Sequence, residues 1–265
     1  MGVIFRLHPG HVPLLISFPH SGEHLPLGLG DRFTDEACRL DDTDWLLPQL
    51  YDFAEEIGAS TIIPHYSRYV IDLNRPPDDR SLYPGQRGTS LVPVEDFFGR
   101  AIYKPNQSPD VTERAGRLET YWRPYHAALA DELQRLKALH GRVLLWDAHS
   151  IRNVVPLLFD GVLPDLNIGS ADGASADNAI TTAMSQTANG TSLRSVVNGR
   201  FKGGYITRAY GAPLQQIHAV QLEMSKALYL APTFPVVLDV NNRSLVATLL
   251  RKMVCAALDS VPPPR

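Results

Sequence analysis

The sequence predicts an α/β fold, a single domain built on a mostly parallel sheet. Two observations predict it. Short apolar runs rich in Ile, Val and Leu recur along the chain, each ending at polar or turn residues. Between them lie stretches whose apolar residues fall at helical spacing, and strands that alternate with helices pair in parallel through helical crossovers.

The strands are expected at residues 13–18, 61–64, 69–73, 143–146 and 219–222. A first helix is expected over residues 44–57, where Trp45, Leu46, Leu50, Phe53, Ala54 and Ile57 form an apolar stripe and Gly58 follows as a C-cap. Residues 111–139 read as a long amphipathic stretch that Pro124 either kinks or restarts. Two further helices are expected at residues 172–188 and 244–258. Residues 75–100 and 198–213 fit neither period; they are rich in Gly, Pro and charge, and loops of that length in a compact domain tend to be functional. No repeat, linker or low-complexity block divides residues 1–265, and residues 258–265 are expected to form a frayed tail.

A hydrophobic fraction of 44% with 20% charged residues is ordinary for a soluble globular protein. The net charge of -3 offers no electrostatic case for nucleic acid or an anionic membrane. Cys38 and Cys255 are far apart with no CxxC spacing, which excludes a thiolate zinc site and a disulfide framework. The opening segment lacks a basic n-region, and no apolar run is long enough for a bilayer. A cytoplasmic, reducing compartment is therefore expected, and the oligomeric state is left open.

The segment LLISFPHSGEHLP presents His20 and Glu23 just past a predicted strand. An imidazole nitrogen and a carboxylate oxygen three residues apart in a turn suit zinc, whose catalytic sites take three protein ligands and leave one position for water. His149, in VLLWDAHS, is the third candidate, because ligands collect at the carboxyl ends of strands in open α/β sheets. Asp147 is placed to orient that imidazole. His24, His65, His126 and His218 compete for the same role. Glu223, ending the apolar run of IHAVQLEMS, reads as a general base or as a structural acid paired with an arginine.

In SRYVIDLNRPPDD, Asn74 and Arg75 emerge at the end of the predicted strand. Arg75 suits a substrate carboxylate through paired hydrogen bonds, Arg68 an oxyanion, and Asp72 the orientation of those arginines. Arg200, Lys202 and Arg208 fall in the glycine-rich NGRFKGGYITR, which would favour an anionic ligand. No GxxxxGK[ST] or GxGxxG pattern supports a nucleotide.

Taken in order, PHSGEHLP, TDW, SRYVIDLNRPPDD, LYPGQ, YWRPYH, LLWDAHSI, NGRFKGGYITRAYG and HAVQLEMS resemble the N-formylglutamate amidohydrolases, also called N-formylglutamate deformylases. The similarity runs from about His20 to about Tyr229. That family is related in fold to zinc carboxypeptidases and aspartoacylases. The resemblance therefore implies a mixed, mostly parallel twisted sheet with helices on both faces. It puts one zinc ion per chain, or cobalt or another divalent metal in its place, on His20, Glu23 and His149. It makes Glu223 the general base and Arg68 the group that polarises the scissile carbonyl. Asn74 and Arg75 would hold a substrate carboxylate, with Arg200, Lys202 and Arg208 in the family's glycine-rich motif. The implied reaction is hydrolysis of N-formyl-L-glutamate to formate and L-glutamate in histidine degradation. A related amidase acting on another N-acyl acidic amino acid, or a binding protein of the same fold, is the alternative.

Overall fold

A computed structural model describes residues 2–263 other than 83, 84, 86 and 87. Its sheet has seven strands: β1 (Phe5–His8), β2 (Leu14–Ser17), β3 (Ser60–Pro64), β4 (Val143–Ile151), β5 (Leu166–Gly169), β6 (Ser195–Val197) and β7 (Ile217–Ser225), in the order β1-β3-β2-β4-β7-β5-β6. The pairings β3/β2, β2/β4, β4/β7 and β5/β6 are parallel, whereas β1/β3 and β7/β5 are antiparallel. The sheet is thus mixed and mostly parallel, as expected.

The helices are α1 (Phe53–Glu56), α2 (Val111–Arg117), α3 (Arg123–His140), α4 (Asn178–Asn189), α5 (Tyr205–Tyr210) and α6 (Val240–Asp259). Strand alternation sorts them into two layers. Leu14, Ile16, Leu144, Trp146, Val220 and Leu222 pack with Ile180 and Met184 of α4 and Leu250 and Met253 of α6. Leu15, Val143, Leu145, Ile217 and Ala219 face the other way, onto Leu129, Leu133 and Leu136 of α3 and Ile206 of α5. That parity continues past the apolar cores. Asp147 and His149 of β4 and Gln221 and Glu223 of β7 therefore fall on the side that carries α3 and α5. The α4–α6 side is closed by apolar packing.

Several expected elements differ. Residues 69–73 are turns rather than a strand: Val70 N–H bonds to Ser67 O and Arg75 N–H to Asp72 O. The run is apolar because Tyr69 and Val70 pack into one cluster and Ile71 and Leu73 into another. The helix expected over residues 44–57 is broken: Leu46 takes φ 58, a 3-10 turn follows at Leu47–Leu50 with Pro48 in it, and only Phe53–Glu56 is α-helical. At Pro124 the helical stretch restarts after a π turn at Leu118–Trp122, since proline has no N–H to donate to the carbonyl four residues back. The strands β1, β5 and β6 lie outside the expected set, and α5 sits inside the expected loop of residues 198–213. At the expected tail, α6 runs to Asp259 and Val261 is buried, while residues 264 and 265 lie outside the described ones. No described helix is long and apolar enough to cross a membrane.

Candidate metal centre and active site

His20 follows β2, Asp44 lies in the segment leading to the Leu47–Leu50 turn, and His149 lies near the C-terminal end of β4. All three are buried, and together they form the one group of potential metal ligands found among the described residues. Nδ1 of His149 is 3.1 Å from Nδ1 of His20 and 3.4 Å from Asp44 Oδ2, and the third edge, His20 Nδ1 to Asp44 Oδ2, is 3.8 Å. Tetrahedral ligands at about 2.0–2.1 Å from zinc stand about 3.3 Å apart, so the triangle has the right size.

Two further observations fit a divalent cation. Both carboxylate oxygens of Asp44 are buried without a hydrogen-bond partner, a costly arrangement unless a cation meets them. Both imidazoles are also turned to present Nδ1. His20 Nε2 donates to Asp72 Oδ1 at 2.7 Å, and His149 Nε2 donates to Asp147 Oδ2 at 3.0 Å. A carboxylate can only accept, so Nε2 carries a proton in each ring and Nδ1 faces the triangle, where a bound cation would displace any second proton. Burial and the neighbouring Arg68 charge push His20 down to about 4, which keeps it neutral. Burial also opposes a charge on His149, but Asp147, Asp44 and Glu223 outweigh it and hold its pKa well above 6.5. Positive charge is strongly favoured at this point.

Glu223 stands beside His149 in the β4/β7 register, on the same face of the sheet. Its burial pushes its pKa up to about 7, and Asp44 adds to the rise. Gln221 Nε2 donates to Glu223 Oε2 at 3.1 Å, while Gln221 Oε1 accepts from Gly204 N–H at 2.7 Å. A carboxylate poised near neutral pH beside a metal triangle suits proton transfer.

These groups line a cavity whose walls also carry Arg68, Arg75 and Arg200. Arg68 Nη2 donates to Asp72 Oδ2 at 2.6 Å, and its Nη1 lies 3.2 Å from His20 Nδ1, at the rim of the triangle. Arg75 is braced by Thr89 O, Thr89 Oγ1 and Asn74 O, which leaves N–H groups on both terminal nitrogens for a carboxylate. Arg200 donates from Nε to Leu158 O at 2.7 Å and stacks on Phe201.

The family model described as N-formylglutamate amidohydrolase matches residues 12–230. The chain belongs to that family. Two proteins named N-formylglutamate deformylase are similar to it over nearly their whole length. The one from Pseudomonas putida is 46% identical over 259 residues, 97% of each chain. The one from Pseudomonas aeruginosa is 48% identical over 257 residues, 96% of each chain. The crystal structure of an N-formylglutamate amidohydrolase from Ralstonia eutropha JMP134 has a TM-score of 0.78 at 22% identity, covering 97% of this chain and 96% of that one. A gene product from Agrobacterium tumefaciens has 0.74 at 20%, covering 98% and 96%. At such identities the likeness is one of fold.

Within this N-formylglutamate amidohydrolase chain, some expected site residues lie elsewhere. Glu23 is exposed and lines a separate cavity with Arg6, His24 and His65, so Asp44 occupies the place expected for it. Gly22 packs against the Tyr66 backbone, and Glu23 beyond it is exposed. Lys202 pairs with Asp172 on the surface, and Arg208 donates to Gly203 O; neither lines the cavity. Asn74 lines it but is occupied on both ends: Nδ2 donates to Asp147 Oδ2 and packs 2.9 Å from His149 Nε2, and Oδ1 accepts from Ile206 N–H. It braces His149 and α5 rather than standing free for substrate. His126 is held by Leu73 O and Tyr210, and His218 by Asp177 N–H, away from the triangle. Of LYPGQ, Tyr83, Pro84 and Gln86 lie outside the described residues.

Asp44 escaped the spacing argument because an acid at the start of an expected helix already has an explanation. Its signal was the aspartate-rich LDDTDW, in which Asp42 and Asp44 are both buried.

Proposed function

We propose that the chain hydrolyses N-formyl-L-glutamate to formate and L-glutamate, with a divalent ion held by His20, Asp44 and His149. The observation that carries this reading is the buried donor triangle beside Glu223, in one cavity with Arg75 and Arg200. Two nitrogens and one carboxylate oxygen suit zinc, with cobalt the alternative. Such an ion would polarise the formyl carbonyl and lower the pKa of an attacking water.

The chain's own groups then have separate tasks. Glu223 accepts the proton of the attacking water and returns it to the glutamate nitrogen as the amide bond breaks. Arg68, anchored by Asp72, places Nη1 at the rim of the triangle to share charge building on the carbonyl oxygen. Arg75 and Arg200 hold the two substrate carboxylates, which fixes the amide relative to Glu223. Asp72, Asp147 and Asn74 keep the imidazoles oriented. The free cysteines Cys38 and Cys255 suit a reducing, cytoplasmic setting for an enzyme of histidine degradation.

Acyl-product release from N-formyl-L-glutamate, N-acetyl-L-glutamate and N-acetyl-L-aspartate tests the assignment on metal-loaded protein. The formyl substrate is expected to turn over faster by roughly 10–100-fold, the discrimination a small pocket gives against an added methyl group. Equal or faster turnover of either acetyl compound would favour the alternative N-acyl amidase.

A further inference from the structure

Lys226 belongs to none of the roles above, yet it is 7% exposed and sits directly after β7, in a 3-10 turn at Lys226–Leu228. Its Nζ donates to Thr43 O at 2.6 Å and to Asp41 O at 3.3 Å. No carboxylate lies within ion-pair distance of it among the described residues. A buried ammonium spent on two backbone carbonyls of a single loop is costly unless the loop's position matters.

The loop it holds carries Asp44. The Thr43 carbonyl and the Asp44 N–H are the two ends of one peptide plane. Lys226 grips the carbonyl, and the N–H donates to His20 O at 2.9 Å. Rotation of that plane is therefore blocked from both sides. The carboxylate itself has no hydrogen bond to aim it, so the aim of Asp44 comes from its backbone. The same clamp ties Asp44 to His20 at one end and to the strand of Glu223 at the other.

Resting on the metal reading above, we propose that Lys226 is a positioning residue: it sets the Asp44 carboxylate in the triangle and thereby the affinity and geometry of the metal centre. It touches neither substrate nor metal. Its charge also offsets the buried carboxylates of Asp42 and Asp44 nearby.

The test is metal binding, read by competition with a chromophoric chelator and by the d–d spectrum of the cobalt-loaded protein. Lys226→Met keeps the length and apolar stem but removes the donors. It is expected to weaken zinc binding by about 10–100-fold, the usual effect of losing an outer partner of a ligand, and to alter the cobalt bands. A Lys226→Ala chain is expected to regain affinity and the parental bands when ethylammonium is added, which a general loss of packing would not allow. If the Met variant folds, binds zinc as the parent does and keeps the parental cobalt spectrum, the role is overturned. If the Met variant does not fold, an Ala variant whose affinity ignores ethylammonium overturns it equally. A parent chain that takes up no divalent metal would instead overturn the underlying metal reading and this one with it.

Discussion

Asp44 and Glu23 are both carboxylates close in sequence to a ligand histidine or its loop, and their environments separate them. Asp44 is buried with both oxygens unpartnered; Glu23 faces solvent beside His24. Asp44→Asn removes the charge that the triangle needs, so the purified variant is expected to lose stoichiometric zinc by elemental analysis, whereas Glu23→Gln retains it. The reverse result would restore the local HxxE pair as the ligand set. At Glu223 the group at stake is the proton carrier. Glu223→Gln keeps the size and the ligands, so bound metal should be unchanged while kcat falls by roughly 10²–10⁴-fold. Near-normal turnover would place the base elsewhere.

At the level of elements, β4 and β7 do most to build the site. Their parallel register sets Asp147 beside Gln221 and His149 beside Glu223, so one pairing aligns the proposed ligand, its orienting acid and the proposed proton carrier. Only the apolar halves of these strands were legible, as residues 143–146 and 219–222. The polar halves read as strand ends because propensity registers side-chain type and not what the side chain meets. β5 and β6 contain no long apolar run and owe their place to pairing with β7 and with each other.

Helix α3 adds a pH dependence. His126 is stacked on Trp122, bonded to Leu73 O, and pushed down to about 4 by burial. A folded pKa below the unfolded 6.5 means that the unfolded chain binds more protons between those values, so stability is lost as pH falls from 6.5 through 4. His126→Gln removes that titration. Its urea midpoint should therefore fall less than the parent's across this window, by up to about 3 kcal/mol of unfolding free energy. Parallel pH slopes in the two chains would count against it.

For the whole molecule, the buried charges of the site outline the need for a cation. Asp42, Asp44, Asp72, Asp147 and Glu223 are buried with Arg68 and Lys226, so carboxylates outnumber permanent cations. Binding a divalent ion to the folded state alone stabilises it by mass action, about 2.7 kcal/mol at a free concentration 100 times Kd. Chelator-treated protein is expected to melt several degrees lower than metal-loaded protein and to recover when zinc is returned. An unchanged melting temperature would mean that the triangle does not hold the ion.

Much of this molecule was determined by its sequence alone. The two-residue alternation in the strands and the helical spacing of α3, α4 and α6 settle which side chains face which layer, because burial acts on each residue through its local period. His20, His149, Glu223 and Arg75 were visible as polar residues at the ends of apolar runs. Only the tertiary structure brings Asp44, and not Glu23, together with His20 and His149, and sets Arg200 rather than Lys202 or Arg208 in the cavity wall. The physical reason is that spacing constrains neighbours along a chain, while the site is closed by segments as far apart as His20 and His149, 129 residues away. Their meeting depends on strand order and register, and on a backbone clamp that no local pattern encodes.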